Sequence, residues 1–336
     1  MNTLADAWER LAGSEYNNVI RDCLELRIRH KLCDWAYLLM LQELSDAYFG
    51  RNTNESTLLC AYLYCQSGYQ MRLGLGNNRL YLLVASKHQI YESGYWEIDG
   101  MSYYPFNCQE QSLEICGASF PDEQPLSLLV NESPLFTERP ADSRSLQSER
   151  YPNVKVEVSS DENLVSFFAT YPTSMLDDNF CTRWSFYANT PMSERMKNQL
   201  YPSLQSAVKR RSQHEAVNIL LNFVQTAFVY EYDDKGWGGD RAFFAEESLY
   251  YPYCDCEDRS ILFSRLVRDL LGLKVLLVYY PGHLATAVHF TESVSGDYIS
   301  LDNQKYVVCD PTYIGAPVGV TMPDMDNGSA KVILLE

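Results

Sequence analysis

The sequence predicts an α+β protein of more than one domain, and three observations carry that prediction. The chain has 336 residues, 46% hydrophobic and 21% charged, which is more length than a single core usually organises. Apolar residues recur at helical spacing in some segments and alternate in others. Polar, Pro-containing stretches around 131–152 and 189–202 then divide the chain into three zones. These are an N-terminal α+β domain over 1–107, a β-rich domain over 108–195, and a C-terminal domain over 196–336 that pairs a helix with an antiparallel sheet.

In chain order, Trp35-Ala-Tyr-Leu-Leu-Met-Leu-Gln-Glu-Leu reads as a buried helix. A second helix over 58–65 stops at Gly68, which tolerates the left-handed turn that ends helices. Strands follow at 81–85 and 101–104. In the middle zone, 126–130, 154–158 and 181–187 are short β-branched or alternating runs and read as strands. The polar stretch of about twenty residues from Asn131 reads as a surface loop, because structureless segments of that length lie outside compact cores.

The last zone is the most legible. Ser212 followed by Glu215 is a capping box, in which each side chain satisfies a backbone donor of the other. The apolar stripe Ala216, Ile219, Leu220, Phe223, Val224, Ala227 and Phe228 continues that helix. A further helix runs from Cys256 to Leu271 and ends at Gly272. Strands at 274–280, 284–290 and 305–309 complete a helix-strand-strand-strand order.

The formal charge of −17 disfavours phosphate backbones and anionic membranes, so nucleic acid is not an expected partner. No apolar run is long enough to span a bilayer and no signal peptide is visible. The default expectation is a cytoplasmic protein, although an export signal removed from the start would leave the same sequence. Ten cysteines scattered over this length do not form a secreted disulfide framework and are expected to be mostly reduced and buried.

One cysteine is placed for chemistry. In Tyr253-Cys-Asp-Cys-Glu-Asp-Arg-Ser, Cys256 occupies the first turn of a helix, where unpaired N–H groups and the helix dipole favour a thiolate. His283 opens a strand after Pro281-Gly282, and Asp310 ends the next strand in Cys309-Asp-Pro-Thr. Adjacent antiparallel strands would let Asp310 fix one imidazole nitrogen while the other faces the sulfur. Each residue also has a plainer role: a buried structural thiol, a strand-end histidine, a turn aspartate before proline. His289 shares the strand face of His283 and competes with it. Cys254 and Cys256 with Glu257 and Asp258 could ligate a metal, but a zinc site needs four placed ligands and no second Cys or His pair accompanies them. No metal and no cofactor is therefore expected. An oxyanion hole would use the Cys256 N–H, with Gln225 and Trp237 as candidates for a second donor.

Together, Asp255-Cys-Glu-Asp-Arg, Gly282-His-Leu-Ala-Thr-Ala-Val and Asp310 in Asp-Pro-Thr resemble the transglutaminase-like superfamily of papain-type fold, over roughly 212–312. The resemblance implies a catalytic triad of Cys256, His283 and Asp310 and a cysteine-dependent acyl transfer through a thioester. It implies a peptidase or amide hydrolase acting on a protein or peptide, as bacterial relatives do. Glutamine crosslinking by a transglutaminase and a non-catalytic peptide-binding scaffold are the alternatives. Two departures matter: Asp255 stands where many relatives carry Gly, and Cys254 lies two residues from the nucleophile.

The chain also aligns with itself. Ser56-Thr-Leu-Leu-Cys falls on Ser260-Ile-Leu-Phe-Ser, Gly68 on Gly272, and Leu80-Tyr-Leu-Leu-Val on Leu284-Ala-Thr-Ala-Val. The first third then reads as a degenerate copy whose triad positions are Asn52, Arg79 and Asn107. Chance similarity of two helix-strand segments accounts for the alignment equally well.

Overall fold

The computed structural model describes residues 2–13, 16–106, 112–117, 123–233 and 241–336. It is a mixed α+β protein that separates into two compact units, 1–135 with 171–180, and 136–170 with 181–336. The expected zones 1–107, 108–195 and 196–336 do not coincide with these units, and segments of 108–195 fall in both. The short apolar alternations are real, as buried Leu126, Leu128 and Val130 show, and the chain crosses between the units at 135–136, within the polar stretch 131–152, and again at 170–171 and 180–181, outside both such stretches.

The first unit opens with helices Asn2–Leu11, Asn17–Arg29, Asp34–Phe49 and Asn54–Gln66. The last begins because the Thr53 side chain accepts the Ser56 N–H at 3.1 Å, a cap for one of the orphan donors of a helix start. Gly68, at φ +91°, turns the chain out of it. A five-stranded antiparallel sheet follows, in the order Trp96–Ile98, Met101–Phe106, Arg79–Ser86, Met71–Gly76, Glu114–Ile115. Its central hairpin turns on Asn77 and Asn78, and its outer one on Asp99 and Gly100, all at positive φ. Positive φ at both central residues matches the twist that paired strands require.

The second unit holds helices Glu162–Ala169, Thr182–Asn189, Glu194–Val208, Gln213–Thr226, Ala245–Tyr250 and Cys256–Leu271. Residues 181–187, read as a strand, are helical. Trp184, Tyr187 and Ala188 are buried at i, i+3, i+4 spacing, so packing overrides the β preference of the aromatics. The expected boundary at 189–202 lies largely inside a helix: Ser193 caps it by accepting the Met196 N–H at 3.1 Å, and Pro202 sits within it. Likewise, the loop expected from Asn131 contains a strand, Arg144–Gln147, paired with Lys155–Val158.

The predicted capping box at Ser212 and Glu215 is present. The Cys256 helix ends at Gly272 in the left-handed conformation, φ +64°. Its sheet is antiparallel, in the order Tyr298–Leu301, Gln304–Cys309, His283–His289, Lys274–Tyr280, Lys331–Leu334. Leu276, Val278, Tyr280, Ala285, Ala287, Ile299 and Tyr306 form the apolar core of one face. Among the described residues, no helix is long and apolar enough to cross a membrane.

The two sheets share one strand order. Each follows a helix that ends at a positive-φ glycine, each has a central hairpin whose second strand pairs on its other side with the inner strand of an outer hairpin, and each closes that outer hairpin with two positive-φ residues, Asp99-Gly100 and Asp302-Asn303. The self-alignment of the sequence thus coincides with a repeated topology.

Candidate functional site

The site is built on the strand His283–His289 and the helix Cys256–Leu271. Register places His283 opposite Tyr280 at the hairpin end of the sheet and His289 opposite Lys274 at the other. His289 is occupied there by the Lys305 carbonyl, 3.0 Å from its Nδ1. His283 instead meets Asp310, with Nε2 and Oδ2 2.9 Å apart and both residues buried. A neutral imidazole that donates from Nε2 to this carboxylate would present Nδ1 as an acceptor. The Tyr280 ring lies nearly parallel to the imidazole, with centroids 6.2 Å apart.

Asp310 is itself held. Its second oxygen, Oδ1, accepts the Thr312 N–H at 2.8 Å and the Tyr313 N–H at 3.1 Å. The Gln225 side-chain amide donates toward the carbonyls of Asp310, Tyr313 and Ala316 at 3.0, 2.9 and 3.0 Å. Its oxygen accepts the Gly315 N–H at 3.3 Å. Gln225 therefore pins the loop that presents Asp310 and has no donor left for an oxyanion. This corrects its candidacy as the second donor; the other candidate, Trp237, lies outside the described residues, as does Asn107.

The Cys256 helix is tied to this strand by Ser260, whose Oγ donates to the Leu284 carbonyl at 2.8 Å, and the backbone N–H of Leu284, the residue after His283, acts to lower the Cys256 thiol. Burial pushes the thiol well up from its ordinary value, and the charges of Asp255, Glu257 and Asp258 push in the same direction, against the Leu284 N–H. Burial outweighs the helix start that the sequence suggested would lower it, and Asp255 occupies two of the helix-start donors. Its Oδ1 accepts the N–H groups of Glu257 and Asp258 at 3.0 and 3.4 Å. Asp258 completes the box, accepting the Asp255 N–H at 3.2 Å and the Phe243 N–H at 2.7 Å. Burial, reinforced by Asp255, Glu257 and Asp233, holds the Asp258 carboxyl well above the usual range. The Cys256 N–H has no partner among the described residues and remains available to an oxyanion.

Arg183 pairs with Glu257 at 3.3 Å, and buried Arg259 donates to the carbonyls of Gln225 and Phe228 at 3.1 and 2.8 Å. Arg259 thereby ties the Cys256 helix to the helix that carries Gln225. Burial pushes the Cys254 thiol up to about 12, and of the two cysteines Cys254 is buried while Cys256 is the more exposed. For a cation, the structure groups Asp255, Cys256 and Glu257 with their donor atoms within 4.8 Å of one another. Both carboxylates of that group are already engaged, one in capping and one with Arg183.

Sequence reasoning named the three central residues but missed Gln225 as an anchor, the Leu284 N–H and the role of Asp258. Only Asp258 left a local signal, the Asp-x-x-Asp spacing of a capping box. No protein-family model, curated protein or solved structure matches the chain.

Proposed function

We propose that the second unit is a transglutaminase-like cysteine hydrolase, acting on amide bonds of proteins or peptides through Cys256, His283 and Asp310. The observation that carries this reading is the His283 Nε2 to Asp310 Oδ2 pair at 2.9 Å on the strand to which the Cys256 helix is bonded, through Ser260 Oγ and the Leu284 carbonyl at 2.8 Å. A high thiol pKa assigns His283 the work of a general base during attack rather than a resting ion pair. Nδ1 takes the thiol proton as sulfur bonds to the substrate carbonyl carbon, and the carbonyl electron pair moves onto oxygen near the Cys256 N–H. Collapse of this intermediate expels the amine, which recovers the proton from His283, and leaves a thioester. Water, deprotonated by the same nitrogen, then releases the acid and regenerates the thiol. Asp310 steadies the imidazolium at both proton transfers.

Acid-quenched intact mass spectrometry with glutamine-containing peptides tests the reading. A covalent adduct equal to peptide minus ammonia or amine, absent from Cys256→Ala, is expected. Ammonia release in water against amide formation with an added alkylamine separates hydrolysis from crosslinking. A chain that forms no adduct and turns over none of these peptides favours a peptide-binding scaffold instead.

A further inference from the structure

The first unit repeats the strand order of the second. Its Leu80 N–H donates to Asn54 Oδ1 at 2.8 Å, and Asn54 opens its helix as Cys256 opens its own, two residues beyond the Asn52 that the self-alignment set against Cys256. Arg79 precedes Leu80 as His283 precedes Leu284. Thiol and imidazole are thus replaced by an amide and a guanidinium, which can perform no acyl transfer and can bind.

Arg79 lines a cavity of about 370 Å³ together with Gln42, Glu43, Asp46, Arg51 and Asn52, a volume within the range of small-ligand sites. Its Nη2 donates to Asn52 Oδ1 at 2.8 Å, and its guanidinium lies over the Tyr81 ring, 5.3 Å from the centroid. It has no acidic partner among the described residues. The other arginine of the cavity is consumed, since Arg51 meets both oxygens of Glu43 at 3.0 Å. Asp46 keeps an oxygen for a donor, because Gln42 and Ser56 both bond to Oδ1. The cavity therefore offers an oriented, half-buried guanidinium with an acceptor nearby. A planar guanidinium fork selects carboxylates, and a carboxylate beside an amide N–H is the terminus of a peptide.

The geometry points to a non-catalytic binding site for peptide C-termini in the first unit, with Arg79 taking the carboxylate, Asn52 fixing the arginine and Asp46 accepting an amide N–H. This site is independent of whether Cys256 turns over a substrate.

Calorimetric titration of the full chain carrying Cys256→Ala tests it, using an acetylated tripeptide with a free C-terminus and the same tripeptide as its C-terminal amide. The acid is expected to bind about 10-fold more tightly than the amide, the difference a charged hydrogen-bond pair supplies. Adding Arg79→Ala should erase that preference, and Arg79→Lys, which keeps the charge and the fold but loses the fork, should reduce it. Equal binding of acid and amide, absence of binding, or a preference that survives both Arg79 variants would overturn the proposal. Adduct formation by the wild-type chain is read separately, so failure here leaves the cysteine chemistry standing and the reverse also holds.

Discussion

The two sheets follow one strand order and differ at the residues that matter. In the second unit the strand after the central turn begins with His283 and the helix before the sheet with Cys256; in the first they begin with Arg79 and Asn54. Both helices are capped, by Asp255 and Thr53, and both hairpins hold. The scaffold is thus maintained by caps, turns and apolar faces without help from reactive side chains. The proposed chemistry would rest on three residues placed on it.

The sharpest way to break this comparison is to move the nucleophile. Cys256→Ala should lower turnover by roughly 10³-fold or more, and adding Asn54→Cys should restore none of it, measured as ammonia release. Activity rescued by Asn54→Cys would show the two sites to be chemically equivalent. His283→Arg, which gives the second unit the residue of the first, should cost as much, with the thermal transition retained.

A smaller effect is expected from the anchor. Gln225→Leu leaves the Asp310 loop without its tie and should lower kcat by about 10-fold through misorientation of the base, with KM little changed. Reactivity of the thiol sharpens the same point. Because burial and its carboxylate neighbours push Cys256 up, iodoacetamide labelling in the absence of substrate should keep rising above the ordinary thiol range. A plateau at neutral pH would indicate a resting ion pair.

The units should also respond to pH from opposite sides. Burial lowers His88 in the first unit to about 4 from 6.5. The unfolded chain therefore binds the proton first, and this contribution, full above about pH 6.5, is lost as pH falls toward 4. In the second unit, burial raises Glu247 to about 7 from 4.5, against the opposing charge of Arg241. Its contribution is complete below about pH 4.5 and is lost as pH rises through 7. Denaturant melts of His88→Leu and Glu247→Gln should show flattened acid and neutral limbs respectively, each by about 2 kcal/mol. The smallest effects are the caps: Thr53→Ala and Ser212→Ala should each cost about 1 kcal/mol, read from denaturation midpoints.

Local chemistry made some of this legible in the sequence. The Cys256 helix carries its start in Asp255 and its stop in Gly272, and the His283 strand follows a Pro-Gly turn, so each could be placed without knowing its neighbours. Features fixed by distant pairing could not. Lys331–Leu334 is a strand because it finds Leu276–Tyr279, and four residues announce nothing alone. Gln225 lies inside a helix with no mark of the loop it anchors. The same holds for the aromatic run at 181–187, whose helical burial pattern emerges only against a partner.

The hydrogen bond from Leu80 to Asn54 has a consequence for variation. Since its donor is a main-chain amide, Asn54 is indifferent to which side chain occupies position 80, provided the residue is not proline. Side-chain scanning there would register only packing. Replacing that one amide by an ester, through chemical ligation, would remove the donor and leave every side chain in place, isolating a contribution that no codon change can reach.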